Sequence, residues 1–542
     1  MEDWEDIGSF RFHCGLYQDN FADEGVHLAK DEETQQKRRH KQQQQQPPPI
    51  VNSTSPDPQL IRETAKLGIF QTGISVPNSE TNKEHILASL ELFSNYASDF
   101  KTLKGERLSN VSGRKLSTEE IMKLAGERYI QFSTQGLDDI YMLMHPFGTG
   151  SSLAGLSIEE TQDVELAHLL LAAAEKVGYQ QFKRASKLLS RCEWLASDTG
   201  NPVQRIAFYF GKALLERIDR ETGDQFPSKT MGGKGKGKYN MTDPALNSNL
   251  AFLACHQQIP FNQVVQFAGI QAILENMAFE TKIHLVDFNI RSGVQWIVLM
   301  QALTQQRVYP IRYLKITAVG TAHRQMIEET GKRLISFAES LKLPFKFEVI
   351  FLSDMKDLKE ELFDIEPGEA LAIYSPMVLR TMVSRPNCLE TLMKLLRKLG
   401  PSIVVLTEVE ANHNSPSFVN RFIEALFFHS AFFDCLDDCM DRNNQYRMII
   451  EGMFFHFGIH NIVASEGKER ITRSVKIDVW RAFFARFGLV EVELSESTLY
   501  QANLVVQQFP CGSSCNLEIN GKCLIAGWKG TPIHSVSAWK FC

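Results

Sequence analysis

The sequence predicts an α/β protein: a doubly wound parallel sheet finished by an antiparallel C-terminal edge, with an α-helical cap and a disordered N-terminal tail. Three observations predict it. From residue 283 onward, short apolar runs alternate with helical segments, as parallel strands joined by crossovers do. Later, two strand-like runs flank Asn520-Gly521, a hairpin signal. Between about 160 and 277 the apolar spacing is helical instead. At 542 residues, with 43% hydrophobic and 23% charged, the chain has globular composition and room for several domains.

Residues 1–60 read as a disordered acidic and Gln/Pro tail. Residues 1–36 carry ten acids against Arg11 and Lys30, interleaved with Trp4, Phe10, Phe12, Tyr17 and Phe21. Such mixing keeps aromatic side chains solvated for a partner. Lys37, Arg38, Arg39 and Lys41 form a basic cluster, a candidate nuclear-import signal. Five glutamines and three prolines follow as a linker. Residues 61–155 form a variable, partly helical region. There Ser117-Thr118-Glu119-Glu120 has capping-box spacing and opens a helix through Phe132.

Residues 156–542 read as the main domain, with a helical cap at about 160–277 and an α/β core at about 280–542. Ser157 to Glu160 form a second capping box. Behind it Leu166, Leu169, Leu170, Ala173, Ala174 and Val177 make one apolar helical face. A helix starts near Pro202, a Gly/Lys loop interrupts at 223–240, and 264–277 is helical again. Strands are expected at 283–288, 314–319, 345–351, 370–374 and 402–406. Helices are expected at 293–306, 323–341, 354–363, 386–399 and 416–428. Further strands are expected at 490–494, 515–519 and 523–528.

The charge excludes some functions. Lys and Arg number 58 against 64 acids, a net charge of −6, so a basic nucleic-acid coat is not expected. No apolar run reaches about 18 residues, so no membrane span is expected, and the Met1 end lacks secretory-signal features. The ten cysteines are scattered, and free thiols are expected.

Candidate chemistry sits at strand ends. The first core strand ends Val286-Asp287-Phe288-Asn289-Ile290-Arg291-Ser292-Gly293, and only Gly293 stands where ligand-binding folds place several glycines. The second strand ends without an acid to hold a ribose. Asp287 is expected to bond a ligand or to cap the next helix. Glu408, Glu410 and His413 follow the fifth strand, where acid–base groups would sit. The Gly232–Lys238 loop lacks phosphate-loop spacing and reads as a basic surface loop. Cys435, Cys439, Cys511, Cys515 and Cys523 have only loose zinc spacing. Leu166, Leu169 and Leu170, and Leu392, Leu395 and Leu396, match a leucine docking pattern and are candidate partner surfaces.

Several motifs occur in a fixed order. They are Leu169 to Glu175; Ile283, His284, Leu285, Val286 and Asp287; Gly293 to Trp296; Glu408 to Asn414; Asn461 to Arg470; and Ser537, Ala538 and Trp539. Together they resemble the GRAS family of plant transcriptional regulators over about residues 160–542: the second is similar to its VHIID motif, the last to its SAW motif. Ser465 replaces a usual cysteine, and the run after Arg470 is altered. Residues 1–155 hold no DELLA or TVHYNP sequence, which places the chain outside the DELLA branch.

The resemblance implies a methyltransferase-like core and a nuclear location. It also implies control of transcription through protein contacts with other GRAS proteins and zinc-finger DNA-binding proteins. No enzymatic activity, cofactor or metal is expected. The alternatives are a direct, sequence-specific DNA reader and a methyltransferase-type or small-molecule-binding protein. The missing glycines count against the latter.

Overall fold

A computed structural model describes residues 115–135, 155–223, 252–306 and 308–542. The acidic tail, the Lys37–Lys41 cluster, the glycine-rich break at 148–152 and the 232–238 loop lie outside the described residues.

The helices begin where the capping chemistry places them. In α1 (Thr118–Gln135), Ser117 and Glu120 bond reciprocally. In α2 (Ile158–Gly178), Ser157 Oγ accepts from Glu160 N–H while the Glu160 carboxylate accepts from Ser157 N–H. After α3 (Phe182–Leu195), α4 (Pro202–Thr222) repeats the arrangement with Asn201 and Gln204, has Pro202 in its first turn, and ends at Gly223. Four α1–α4 helices form one layer with three later ones: α9 (Phe418–Cys439), α10 (Gln445–Ile450) and α11 (His456–Val463). The last two flank a π turn, Glu451–Phe455. This helical layer is therefore built from two separate stretches of chain, one before the first strand and one between the fifth and sixth.

The sheet has nine strands. β1 (Lys282–Asp287), β2 (Tyr313–Gly320), β3 (Phe345–Phe351), β4 (Ala370–Pro376) and β5 (Ile403–Val409) are parallel, in the order 3-2-1-4-5. β9 (Thr531–Phe541) runs antiparallel beside β5. Its other edge pairs with β8 (Cys523–Trp528) and with β6 (Leu489–Val492). β7 (Cys515–Asn520) completes a hairpin with β8. This is the doubly wound class with an antiparallel edge.

Alternate side chains feed two cores. Ile283, Leu285, Ile316, Tyr374 and Val405 face α5 (Pro260–Asn276), α6 (Val294–Gln305) and α7 (Arg324–Ser340). Val286, Ile373, Val404 and Leu406 face α8 (Pro386–Leu399) and α12 (Ile477–Ala485). Burial on both faces explains the continuous apolar runs. The helix read as part of the cap near 264–277 is α5, and it lies on the sheet. Gly269 permits this, since a Cβ there would stand 3.2 Å from the Tyr374 ring and 3.3 Å from Val405. α13 (Glu496–Gln507) packs against α5.

Some expectations are corrected. Residues 354–363 form two short 3-10 turns, not a helix. Only Met355, Leu358 and Phe363 are buried there, and that spacing makes no α-helical stripe. The helix expected at 416–428 continues to Cys439. Cys439 and Cys511, with Cα atoms 5.9 Å apart, are joined as a disulfide, so these two are not free thiols.

Candidate functional site

The end of β1 is organised by its own turn. Asp287 is wholly buried, and its carboxylate accepts from Asn289 N–H and from Trp296 Nε1, each at 2.8 Å. Burial raises its pKa to about 6. Asn289 Nδ2 donates to the Pro376 carbonyl at 3.1 Å, tying this turn to β4. Trp296 packs edge-on against Tyr374, ring centres 5.1 Å apart. Gly293 has φ 72°, and a Cβ there would meet Thr330 at 2.8 Å. The carboxylate thus holds the first turn of α6, and an indole fills the space beside it. His284 lies at the other end of β1, bonded to Glu369 (3.1 Å) and Thr317 (2.8 Å). Burial first, then Lys315, lowers its pKa to about 4.

The groups after β5 serve different neighbours. Glu408 accepts from Leu379 N–H at 2.9 Å, and burial raises its pKa to about 7 against the pull of Arg380. Glu410 accepts from Ile477 N–H at 3.1 and 3.2 Å, anchoring the start of α12. The His413 ring stands edge-on to Phe428 and stacks on His429, and burial keeps it far below its usual pKa. Glu408, Glu410 and His413 therefore organise three loops rather than converge as an acid–base set.

Around them lies a cluster that the sequence reading does not single out. Arg291 follows β1, Arg380 follows β4, and Arg470 and Arg473 lie before α12; Arg421 of α9 and Arg217 of α4 approach from the helical layer. Glu466 accepts from Arg217 at 2.8 Å and from Arg421. The Arg470 guanidinium donates to the His413 carbonyl, and Arg473 donates to the Gly467 carbonyl at 2.8 Å. Burial, then the neighbouring Arg421 and Arg473, bring the Arg470 pKa down to about 8. Arg291 sits over the Phe252 ring at 5.1 Å; burial and repulsion from Arg380 lower its pKa. The available signal is position alone: Arg291 and Arg380 each lie four residues beyond the end of a core strand.

The other sequence candidates are placed as follows. Leu166, Leu169, Leu170, Leu392, Leu395 and Leu396 are all buried. Their reading as partner surfaces is corrected: the first three pack within the helical layer, the second three against the sheet. Ile283, Leu285 and Val286 are core residues of β1. Ser537, Ala538 and Trp539 are buried in β9, where Trp539 Nε1 donates to Ser537 Oγ at 2.8 Å. Lys37, Arg38, Arg39 and Lys41 lie outside the described residues. Among the described residues, no cluster of three or more His, Cys, Asp or Glu is placed to hold a metal. Among them, too, no helix is long and apolar enough to cross a membrane.

Residues 166–540 match the GRAS domain family. The chain is similar to DELLA protein GAI1 of Vitis vinifera, 29% identical over 382 residues, covering 70% of this chain and 62% of that protein. It is 31% identical over 392 residues to DELLA protein RGL1 of Arabidopsis thaliana, covering 72% of each. It thus spans less than two thirds of the first relative. Among solved structures it is similar to the crystal structure of SCL7 from Oryza sativa. The TM-score there is 0.60 at 27% identity, covering 69% of this chain and 99% of that one.

Proposed function

Because the chain belongs to the GRAS domain family, we propose that it is a plant regulator of transcription, acting in the nucleus mainly through contacts with other proteins. Its partners on this reading are zinc-finger DNA-binding proteins and other GRAS proteins, and it catalyses no reaction of its own. One observation supports this most directly. At the β1–α6 turn, where a doubly wound enzyme brings backbone amides to its cofactor, Asp287 spends its hydrogen bonds on Asn289 N–H and Trp296 Nε1, and the Trp296 ring packs on Tyr374.

The contacting surface belongs to exposed side chains rather than the buried leucines. Trp194 on α3 is 90% exposed, and tryptophan is the residue type most enriched at binding hot spots. The test is fluorescence anisotropy of the full chain on a randomised DNA pool near physiological salt, with and without a zinc-finger partner. The expected result is no selective binding alone and retention once the partner is bound, weakened by Trp194→Ala without loss of stability. Selective binding by the chain alone would make it a direct DNA reader instead.

A further inference from the structure

The carboxyl ends of β1, β4 and β5 gather more positive charge than the surrounding carboxylates balance. β1 and β4 are the neighbours at which the strand order reverses. In open α/β sheets ligands bind beyond the strand ends at such a point. Arg291 and Arg380 stand there, partly buried, and Arg470 and Arg473 adjoin them. Two carboxylates face these guanidiniums: Glu408, which accepts from Leu379 N–H and attracts Arg380, and Glu466, which accepts from Arg217 and Arg421 and attracts Arg470 and Arg473. Arg470 and Arg473 donate to main-chain carbonyls and to the Asn414 side chain, which carry no compensating charge.

A second observation is independent of charge. Nε of Arg380, Arg470 and Arg473, Nε2 of His413 and Nδ1 of His534 are buried and meet no hydrogen-bond partner among the described residues. Arg470 is 2% exposed, His413 3% and His534 7%. Unpaired buried polar atoms are uncommon, and several together need a reason. His534 belongs with the group because β9 places it opposite Val409, at the end of β5. Arg380 ties the loops together through its backbone: its carbonyl accepts from Arg473 N–H at 2.9 Å. Its Nε makes no such bond among the described residues.

We propose that Arg291, Arg380 and Arg470 form a binding site for a small phosphate-bearing anion. Guanidinium forks match phosphate oxygens in geometry and charge. Phe252 beneath Arg291 fixes one fork in place. The unpaired nitrogens are buried, so the ligand is compact; the phosphates of a DNA duplex stay outside. The site stands apart from the regulatory reading, since a GRAS protein with or without it can contact protein partners.

The experiment uses the full chain, with inorganic pyrophosphate and ATP as probes and sodium chloride at matched ionic strength as the control. Titration calorimetry and thermal unfolding are followed for wild type, Arg380→Met, Arg291→Met and, as an exposed control, Arg324→Met. The expected result is saturable binding with a raised Tm in wild type and Arg324→Met, weakened about tenfold or more in the other two. Without probe, Arg291→Met unfolds at the same temperature as wild type or higher, because it removes a partly buried charge that Arg380 repels. The proposal is overturned if neither probe binds above the salt control, or if both variants bind as wild type does. It is also overturned if probe-free Arg291→Met melts lower, marking that arginine as structural, or if a random-sequence DNA duplex displaces ATP from the same arginines.

Discussion

A fully buried carboxyl group bonded only to neutral donors resists ionisation, and Asp287 is such a group. Its folded pKa of about 6 lies above the ordinary value of 3.8. The stability it contributes is therefore full below the unfolded value and is lost as pH rises through about 6. Asp287→Asn lacks this dependence. Urea unfolding of both proteins should show wild type losing about 1.4 kcal/mol relative to the variant between pH 5 and pH 7.5; equal slopes would refute the assignment. At this scale the sequence is half legible. A lone glycine beyond a strand already points to Asp287 as a turn organiser. The docking leucines mislead, because 3.6-residue spacing identifies an apolar face without saying what covers it. The arginine cluster is illegible, because Arg291, Arg380, Arg470 and Arg473 are distant in the chain and only the strand order joins them.

Helix α8 carries the clearest test between elements. Leu392 and Leu396 pack against Val404, Leu406 and Trp539 across the sheet face, so Leu392→Ala or Leu396→Ala should cost about 2–5 kcal/mol in denaturant unfolding. Lys394→Ala, on the exposed face, should change stability by less than about 0.5 kcal/mol. A partner-binding role for these leucines would instead leave the unfolding midpoint unmoved. The five parallel strands and the β7–β8 hairpin are legible because strands buried on both faces are continuous apolar runs and Asn520-Gly521 marks the turn. β9 is not: Pro532, His534, Ser535 and Ser537 break its apolar pattern, yet Ser535, Ser537 and His534 are all buried. Helices α10 to α13 are missed too, being short segments whose helicity comes from packing more than from a long periodic stripe.

At the scale of the whole molecule, the two halves of the helical layer are joined by a buried ion network. Arg205 of α4 is fully buried and pairs with Glu451 of the π turn at 3.1 Å and with Asp437 of α9 at 3.0 Å. Burial holds the Glu451 pKa at about 7 despite the neighbouring Arg205 and Arg447. Arg205→Ala leaves Glu451 without its closest cation and should cost about 3–5 kcal/mol, whereas an Arg205→Met, Glu451→Met double variant should recover much of that loss in urea unfolding. If the double variant is as unstable as the single one, the network is not the source of the cost. β9 has a consequence of another kind. It fills the gap between β5 on one side and β6 and β8 on the other, and it follows all three in the chain. During synthesis the ribosome releases those three first, so their edges stay unpaired until β9 emerges. The α/β half is thus completed late, its nascent strands exposed to chaperones and to one another. A polypeptide stopped short of Thr531 would leave the edges of β5, β6 and β8 that face β9 open.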